Sequence, residues 1–189
     1  MQGVDLHTHS NISDGTYSPE LLVQAALEKG IHTLALTDHD SMDGLLLAEK
    51  KKKNQPIQII SGVEISSQWS RPSTNKSYGV HIVALNMQNL DPLNRLLEQQ
   101  KRIRAVRAKQ ICDLLTPLIH MDIYPDVLSK VDGEPDRITR THIAKTLVEK
   151  GIVARPQQAF DQYIKEGKKA YVKFDGLGLA ETIEVIHQS

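Results

Sequence analysis

The sequence holds eight histidines. His7, His9, His39 and His81, with the carboxylates Asp14 and Glu64, stand within or just past segments that read as strands. His7 and His9 are two residues apart. Side chains at i and i+2 of a strand share a face, so both imidazoles can reach one ion. Asp14 follows in a Ser-Asp-Gly loop, and His39 lies in TDHD after the second strand. Glu64 comes near the end of the third strand and His81 within the fourth. Imidazole combined with carboxylate suits Zn, Mn or Fe better than Ca or Mg. One carboxylate can bridge two ions, and Glu64 is the best placed to do so. Closely spaced ions lower the pKa of a bound water and neutralise charge on an attacked phosphate, which is the chemistry of phosphoester hydrolysis.

Each of these residues has an ordinary reading when taken alone. Two histidines on a strand can be polar surface, and Asp14-Gly15 can be a turn. Asp38 and Asp40 can cap the next helix. Glu64 can be an ion-pair partner, and His81 in an apolar strand can be a satisfied core histidine. Their conjunction in one order along alternating elements is what points to a metal site. His32, His120 and His187 lack such context and read as structural.

The elements that must position these groups are legible in the first half. Val4 to Leu6 reads as a short strand. Ser18-Pro19 reads as an N-cap with proline at the first helical position, and Gly30 as the stop. TLALT (33–37) reads as a buried strand, and a second helix is predicted over about 45–53, ahead of Pro56. IQIISGVEIS (57–66) and YGVHIVALNM (78–87) read as the next two strands. This alternation predicts parallel strands with helices outside, whose C-terminal ends converge on one face. From Asp91-Pro92 a long helix is predicted to about Thr116. Short helices follow over 126–167, with AYVKF (170–174) as an extended return and a last helix in AETIEVIHQS. The predicted division is 1–90 for the metal-binding part, 91–175 for a helical insert, and 176–189 for the start of a returning segment.

The 189 residues are 40% hydrophobic and only 4% aromatic, so the core is aliphatic. With 23 basic and 23 acidic residues there is no global field to hold a polyanion, and no stable DNA binding is expected. A small phosphorylated ligand held by local charges is compatible with that balance. The single cysteine, Cys112, cannot form an intrachain disulfide. No basic-then-apolar leader and no apolar run of about 20 residues is present, so neither secretion nor a membrane partner is expected. The expected location is cytoplasmic.

VDLHTHSNISDGTYSPELL, ALTDHDSMDG, GVEIS and HIVAL, over about residues 3 to 86, resemble the successive N-terminal motifs of the polymerase-and-histidinol-phosphatase (PHP) superfamily. DRITRTHIAKTLVEKGIV and AFDQYIKEGKKAYV resemble a narrower branch. Those enzymes remove the 3′-phosphate from nucleoside 3′,5′-bisphosphates, and some trim RNA 5′ ends. The resemblance implies an α/β fold, a (β/α)7 barrel with an inserted helical subdomain, which this chain would hold only in part. It implies up to three divalent ions, Mn or Zn with Fe also compatible. His7, His9 and Glu64 would hold one, Glu64 and His81 the second, and Asp14 with His39 the third. It also implies that Arg140, Thr141, His142 and Lys168 bind substrate phosphate. Read from the sequence alone, Arg140 is equally well a surface charge at a helix start. The implied partners are a small nucleotide bisphosphate and short RNA.

Family members carry further ligands downstream, a histidine in a later strand and an Asp-x-His motif near the end, and the sequence stops before either. The expectation is therefore that residues 1–189 alone are poorly stable, prone to associate and nearly inactive until that segment is restored. Two other readings stay open at this point. One is a histidinol-phosphate phosphatase or polymerase-associated exonuclease of the same superfamily, against which the RTH and GKKAY segments speak. The other is a metal-binding module without catalysis.

Overall fold

The computed structural model describes residues 3–74 and 76–189. Strand β1 (Gly3–Thr8), helix α1 (Pro19–Glu28), strand β2 (Ile31–Leu36), helix α2 (Asp43–Lys52) and strand β3 (Gln58–Ile60) follow one another. The three strands form a parallel sheet in the order β1-β2-β3. Local chemistry sets the first crossover. Ser18 accepts a hydrogen bond from Leu21 N at 3.3 Å, Pro19 opens α1, and Gly30 at φ +73° ends the turn after it. Gly30 then returns its carbonyl to Gly3 N at 3.0 Å, bringing the start of β2 beside β1. Val23 and Ala26 of α1 and Ala48 of α2 bury against Leu34, Leu36, Ile57 and Ile59.

The segment expected as one strand over 57–66 is two. It breaks at Ser61 into β3 and β4 (Gly62–Arg71). A side chain at position 62 would come within 2.8 Å of Leu36 O, so only glycine lets the chain pass the end of β2 this closely. Beyond it, β4 pairs antiparallel with β5 (Lys76–Leu85) along its whole length, from Gly62↔Leu85 to Arg71↔Lys76. The expectation of parallel strands therefore fails for β4 and β5. Only four residues separate them, which antiparallel strands accept, whereas a parallel pair needs a crossover of a dozen or more residues. A trace of the parallel order survives in the bridge between His39 and Glu64. The described residues hold one three-stranded sheet and one two-stranded ribbon, and among them no closed ring of strands forms.

Two compact units result, Met1–Gln100 with Gly176–Ser189, and Lys101–Asp175. Helix α3 (Leu90–Ile119) runs from the first into the second, longer than expected at both ends. In the first unit Leu93, Leu96 and Leu97 of α3 pack on Val63, Ile65 and Ala84 of the ribbon. The final helix (Leu179–Gln188) is tied to β4 by Ser67 Oγ donating to Thr182 Oγ1 at 2.8 Å.

The second unit contains α4 (Tyr124–Ser129), α5 (Arg140–Glu149) and α6 (Pro156–Ala159), the last continuing into a π-turn at Phe160–Ile164. Its core is aliphatic, built on Ile111, Cys112, Leu115, Ile143 and Leu147. The return segment expected as extended over 170–174 forms no strand. Its backbone is held from the side instead, by Arg107 Nε donating to Val172 O at 3.0 Å. No helix among the described residues is long and apolar enough to cross a membrane.

Candidate metal centre

The six residues singled out as metal ligands come together around Glu64. His7 Nε2 and His9 Nε2 each lie 3.0 Å from Glu64 Oε2. His81 Nδ1 lies 2.8 Å from Glu64 Oε1, and His39 Nδ1 lies 3.7 Å from Oε2. Asp14 sits on the far side, its Oδ1 3.6 Å from His9 Nδ1 and its Oδ2 3.9 Å from His39 Nε2. Three overlapping triads offer ligand atoms within 4.8 Å of one another: His7, His9 and Glu64; His9, Asp14 and His39; and His39, Glu64 and His81. Nitrogen and carboxylate donors in this ratio suit a borderline transition metal. The donors therefore fit such ions, and His9, His39 and Glu64 each belong to two of the three triads.

Glu64 is the buried floor, while the side chains of His7 and His81 are half exposed. The cluster is thus open to solvent on that side. Burial by itself raises the Glu64 carboxyl. The His7 hydrogen bond, the His39 charge and the His81 contact outweigh it, and the group sits below the ordinary carboxylate range. Glu64 is held as a carboxylate, the form a metal ligand requires.

A second layer of side chains fixes the loops that carry these candidate ligands. Asp38 is buried and accepts three bonds at 2.7 Å, from Ser10 N, Ser10 Oγ and Ser13 Oγ. It thereby pins the turn between His9 and Asp14. Gly15 lies so close to the His9 backbone that a Cβ there would fall 2.1 Å from His9 O. Asp40, at φ +51°, accepts from Ser66 N at 2.7 Å and ties the His39 turn to β4. The ordinary reading of Asp38 and Asp40 as caps of the next helix does not hold. The N-cap of α2 is Met42, with no side-chain bond. The roles of Asp38, Asp40, Ser10 and Ser13 escaped the sequence reading. Their one signal was position, since carboxylates flanking a ligand and serines between ligands are common supports.

The four residues expected to bind phosphate lie in the second unit. Arg140, Thr141 and His142 form the first turn of α5, and Lys168 is exposed after the π-turn. His142 Nδ1 accepts from Thr139 N at 3.1 Å in a capping box, so that nitrogen serves the helix. The Arg140 guanidinium lies 5.7 Å from the Phe160 ring centroid. Arg107, which the sequence reading left unassigned, stacks 5.4 Å from Phe174. Burial, then the like charges of Arg140 and Arg104, push it down to about 10. No carboxylate pairs with Arg107 or Arg140 among the described residues.

The model of the PHP domain matches residues 5–175, and the chain belongs to that family. Among curated relatives, a 5′-3′ exoribonuclease of Haemophilus influenzae is 40% identical over 184 residues, covering 97% of this chain and 64% of its own length. A 3′,5′-nucleoside bisphosphate phosphatase of Chromobacterium violaceum is 32% identical over 184 residues, covering 97% and 62%. Among solved structures, an amidohydrolase from Chromobacterium violaceum with bound sulfate and no metal superposes with a TM-score of 0.88 at 31% identity, covering 98% of this chain and 63% of that one. The chain thus spans less than two thirds of the length of each.

Proposed function

We propose that this chain is the metal-binding part of a divalent-metal-dependent phosphoesterase. Its substrate would be a nucleoside 3′,5′-bisphosphate losing its 3′-phosphate, with trimming of RNA 5′ ends by the same site. The observation that carries this reading is the engagement of both Glu64 oxygens by three imidazoles, at 3.0, 3.0 and 2.8 Å. A carboxylate shared in this way is the natural bridge between two ions. His7, His9 and Glu64 would hold one ion and Glu64 with His81 the second, to which His39 is near enough to add a nitrogen. Asp14 and His39 would hold the third, with His9 as a further donor. Mn or Zn fits these donors, and Fe is compatible. Such ions, when bound, acidify a water and neutralise phosphate charge.

The chain's own residues have distinct tasks in this reading. Asp38 and Asp40 hold the ligand loops, so little reorganisation is needed when substrate arrives. Arg140, with Arg107 beside it, binds the phosphate that is not cleaved, since both guanidinium groups lack a carboxylate partner. Thr141 and Lys168 add donors on the same unit.

The test is phosphate release by the purified protein, with and without added Mn or Zn. It would be run on a nucleoside 3′,5′-bisphosphate, histidinol phosphate and a simple aryl phosphate. Metal-dependent release that favours the bisphosphate is the expected result. Preference for histidinol phosphate, or no release from any of the three by a form extended to the length of the relatives, would overturn the reading.

A further inference from the structure

Trp69 is the chain's single tryptophan. It stands on β4 directly opposite Tyr78 on β5. The two rings lie 5.7 Å apart between centroids at an interplanar angle of 31°. An indole at the end of a ribbon would ordinarily bury its faces, yet Trp69 is 39% exposed and Tyr78 37%. Two cations flank the pair. Lys76 Nζ lies 5.4 Å from the Tyr78 centroid, and Arg71 stands opposite Lys76 in the register. Both cations are exposed, and neither has an ion-pair partner among the described residues. This is the composition of a surface for unpaired nucleotides, with aromatic faces for bases and cations for phosphates.

The patch is connected to the metal centre through one strand. Tyr78 is three residues from His81 along β5, roughly 10 Å at about 3.3 Å per residue. Strand alternation puts Trp69 and Tyr78 on the other face of the ribbon from Glu64 and His81. A polynucleotide would reach them round the outer edge of β5, which pairs with no strand but β4 among the described residues. A mononucleotide held at the metals would not extend that far. With equal numbers of basic and acidic residues overall, attraction of a polyanion must come from local cations such as these.

We infer that Trp69, Tyr78, Arg71 and Lys76 form a stacking platform for single-stranded RNA, engaging nucleotides beyond the one held at the metal centre. The inference rests on the RNA-trimming part of the proposed function. Binding there is tolerant of sequence, because every base offers a π face.

The indole itself reports on the platform, since no other tryptophan contributes. The full chain is titrated in chelator, so that nothing turns over, with a short 5′-phosphorylated oligoadenylate. Tryptophan emission and the anisotropy of a labelled oligonucleotide are followed together. Emission is expected to be quenched with the same midpoint as the anisotropy rise. Trp69→Ala and Tyr78→Ala each weaken binding about 5- to 150-fold, the span of base–aromatic stacking, while Trp69→Phe keeps most of it. Arg71→Gln with Lys76→Gln, both at the surface, lowers the log–log salt slope by about 1.4, from about 0.7 per phosphate contact on a single strand.

Four results would overturn the platform. RNA binding seen by anisotropy without quenching is one, and an unchanged affinity in Trp69→Ala and the double glutamine variant together is another. Absence of RNA binding altogether is the third, and emission that responds only to protein concentration, which would mean a second copy covers the face, is the fourth. The phosphoesterase reading fails separately, in the phosphate-release assay, which needs metal and a bisphosphate and no oligonucleotide.

Discussion

Glu64 and His81 are diagonal neighbours across the β4–β5 ribbon, and Glu64 Oε1 meets His81 Nδ1 at 2.8 Å while its other oxygen faces His7 and His9. A carboxylate used from both sides cannot be replaced by an amide, whose nitrogen would present donors where an ion is to be held. Glu64→Gln is expected to lose more metal affinity than the roughly 10- to 100-fold cost of removing a supporting partner. His7→Ala with His9→Ala should abolish tight binding at their site. Elemental analysis after dialysis decides it, and wild-type metal content in either variant would refute the assignment.

Asp38 makes a prediction on stability as well as on metal. Its buried carboxylate accepts three hydrogen bonds from the loop between His9 and Asp14. Bonds to a charged acceptor contribute about 1.5–3 kcal/mol each at most, and they are not additive here. Asp38→Ala should therefore cost about 2–4 kcal/mol in denaturant unfolding and weaken metal binding together with it. A variant as stable as wild type would show that the serines find other partners.

Two glycines should respond oppositely to the same change. Gly15→Ala puts a Cβ 2.1 Å from His9 O, so the loop must move and carry His9 and Asp14 with it. At Gly79, on β5, an added Cβ meets nothing within 4 Å. Gly15→Ala is expected to lower both the melting temperature and metal occupancy. Gly79→Ala should hold or raise the melting temperature, because alanine loses less backbone entropy in a strand. Equal behaviour of the two would contradict the local geometry.

Arg140 and Arg107 repel each other in a partly buried setting, and among the described residues no carboxylate pairs with either. In phosphate-free buffer, Arg140→Gln should leave the melting temperature unchanged or raised. In phosphate it should lose the stabilisation that the wild type gains. In a metal-loaded form extended to the length of the relatives, Arg140→Ala should raise KM for a bisphosphate far more than for an aryl phosphate, by about 1.5–3 kcal/mol or roughly 10- to 150-fold. Equal losses on the two substrates would remove Arg140 from the phosphate site.

Cys112 lies in the core of the second unit, and burial pushes its thiol up to about 12. A group whose folded pKa is raised favours folding below the unfolded value and loses that contribution as pH climbs from there towards 12. At pH near 8 the native thiol stays protonated and should resist a disulfide reagent that labels the unfolded chain at once. Rapid labelling of the native protein would mean the helical unit opens readily.

The sequence by itself determined what depends on near neighbours. Ser18, Pro19 and Gly30 bound α1 because caps act within one turn, and His7 and His9 reach one carboxylate although His9 lies one residue past the end of β1. The six candidate ligands were legible as a set, since their types and order are written along the chain. Pairing was not legible. IQIISGVEIS reads as one strand, because a run of β-branched residues looks the same whichever neighbour it joins. Only the packed chain shows it leaving the parallel sheet at Gly62 and turning antiparallel, which sets Glu64 between His7 and His81. Asp38 and Asp40 carried the same ambiguity. A carboxylate after a strand can cap a helix or brace a loop, and the choice fell to Ser10, Ser13 and Ser66, whose donors come from elements far off in sequence. Contacts between such distant residues are fixed by the three-dimensional path of the chain, and no local pattern encodes that path.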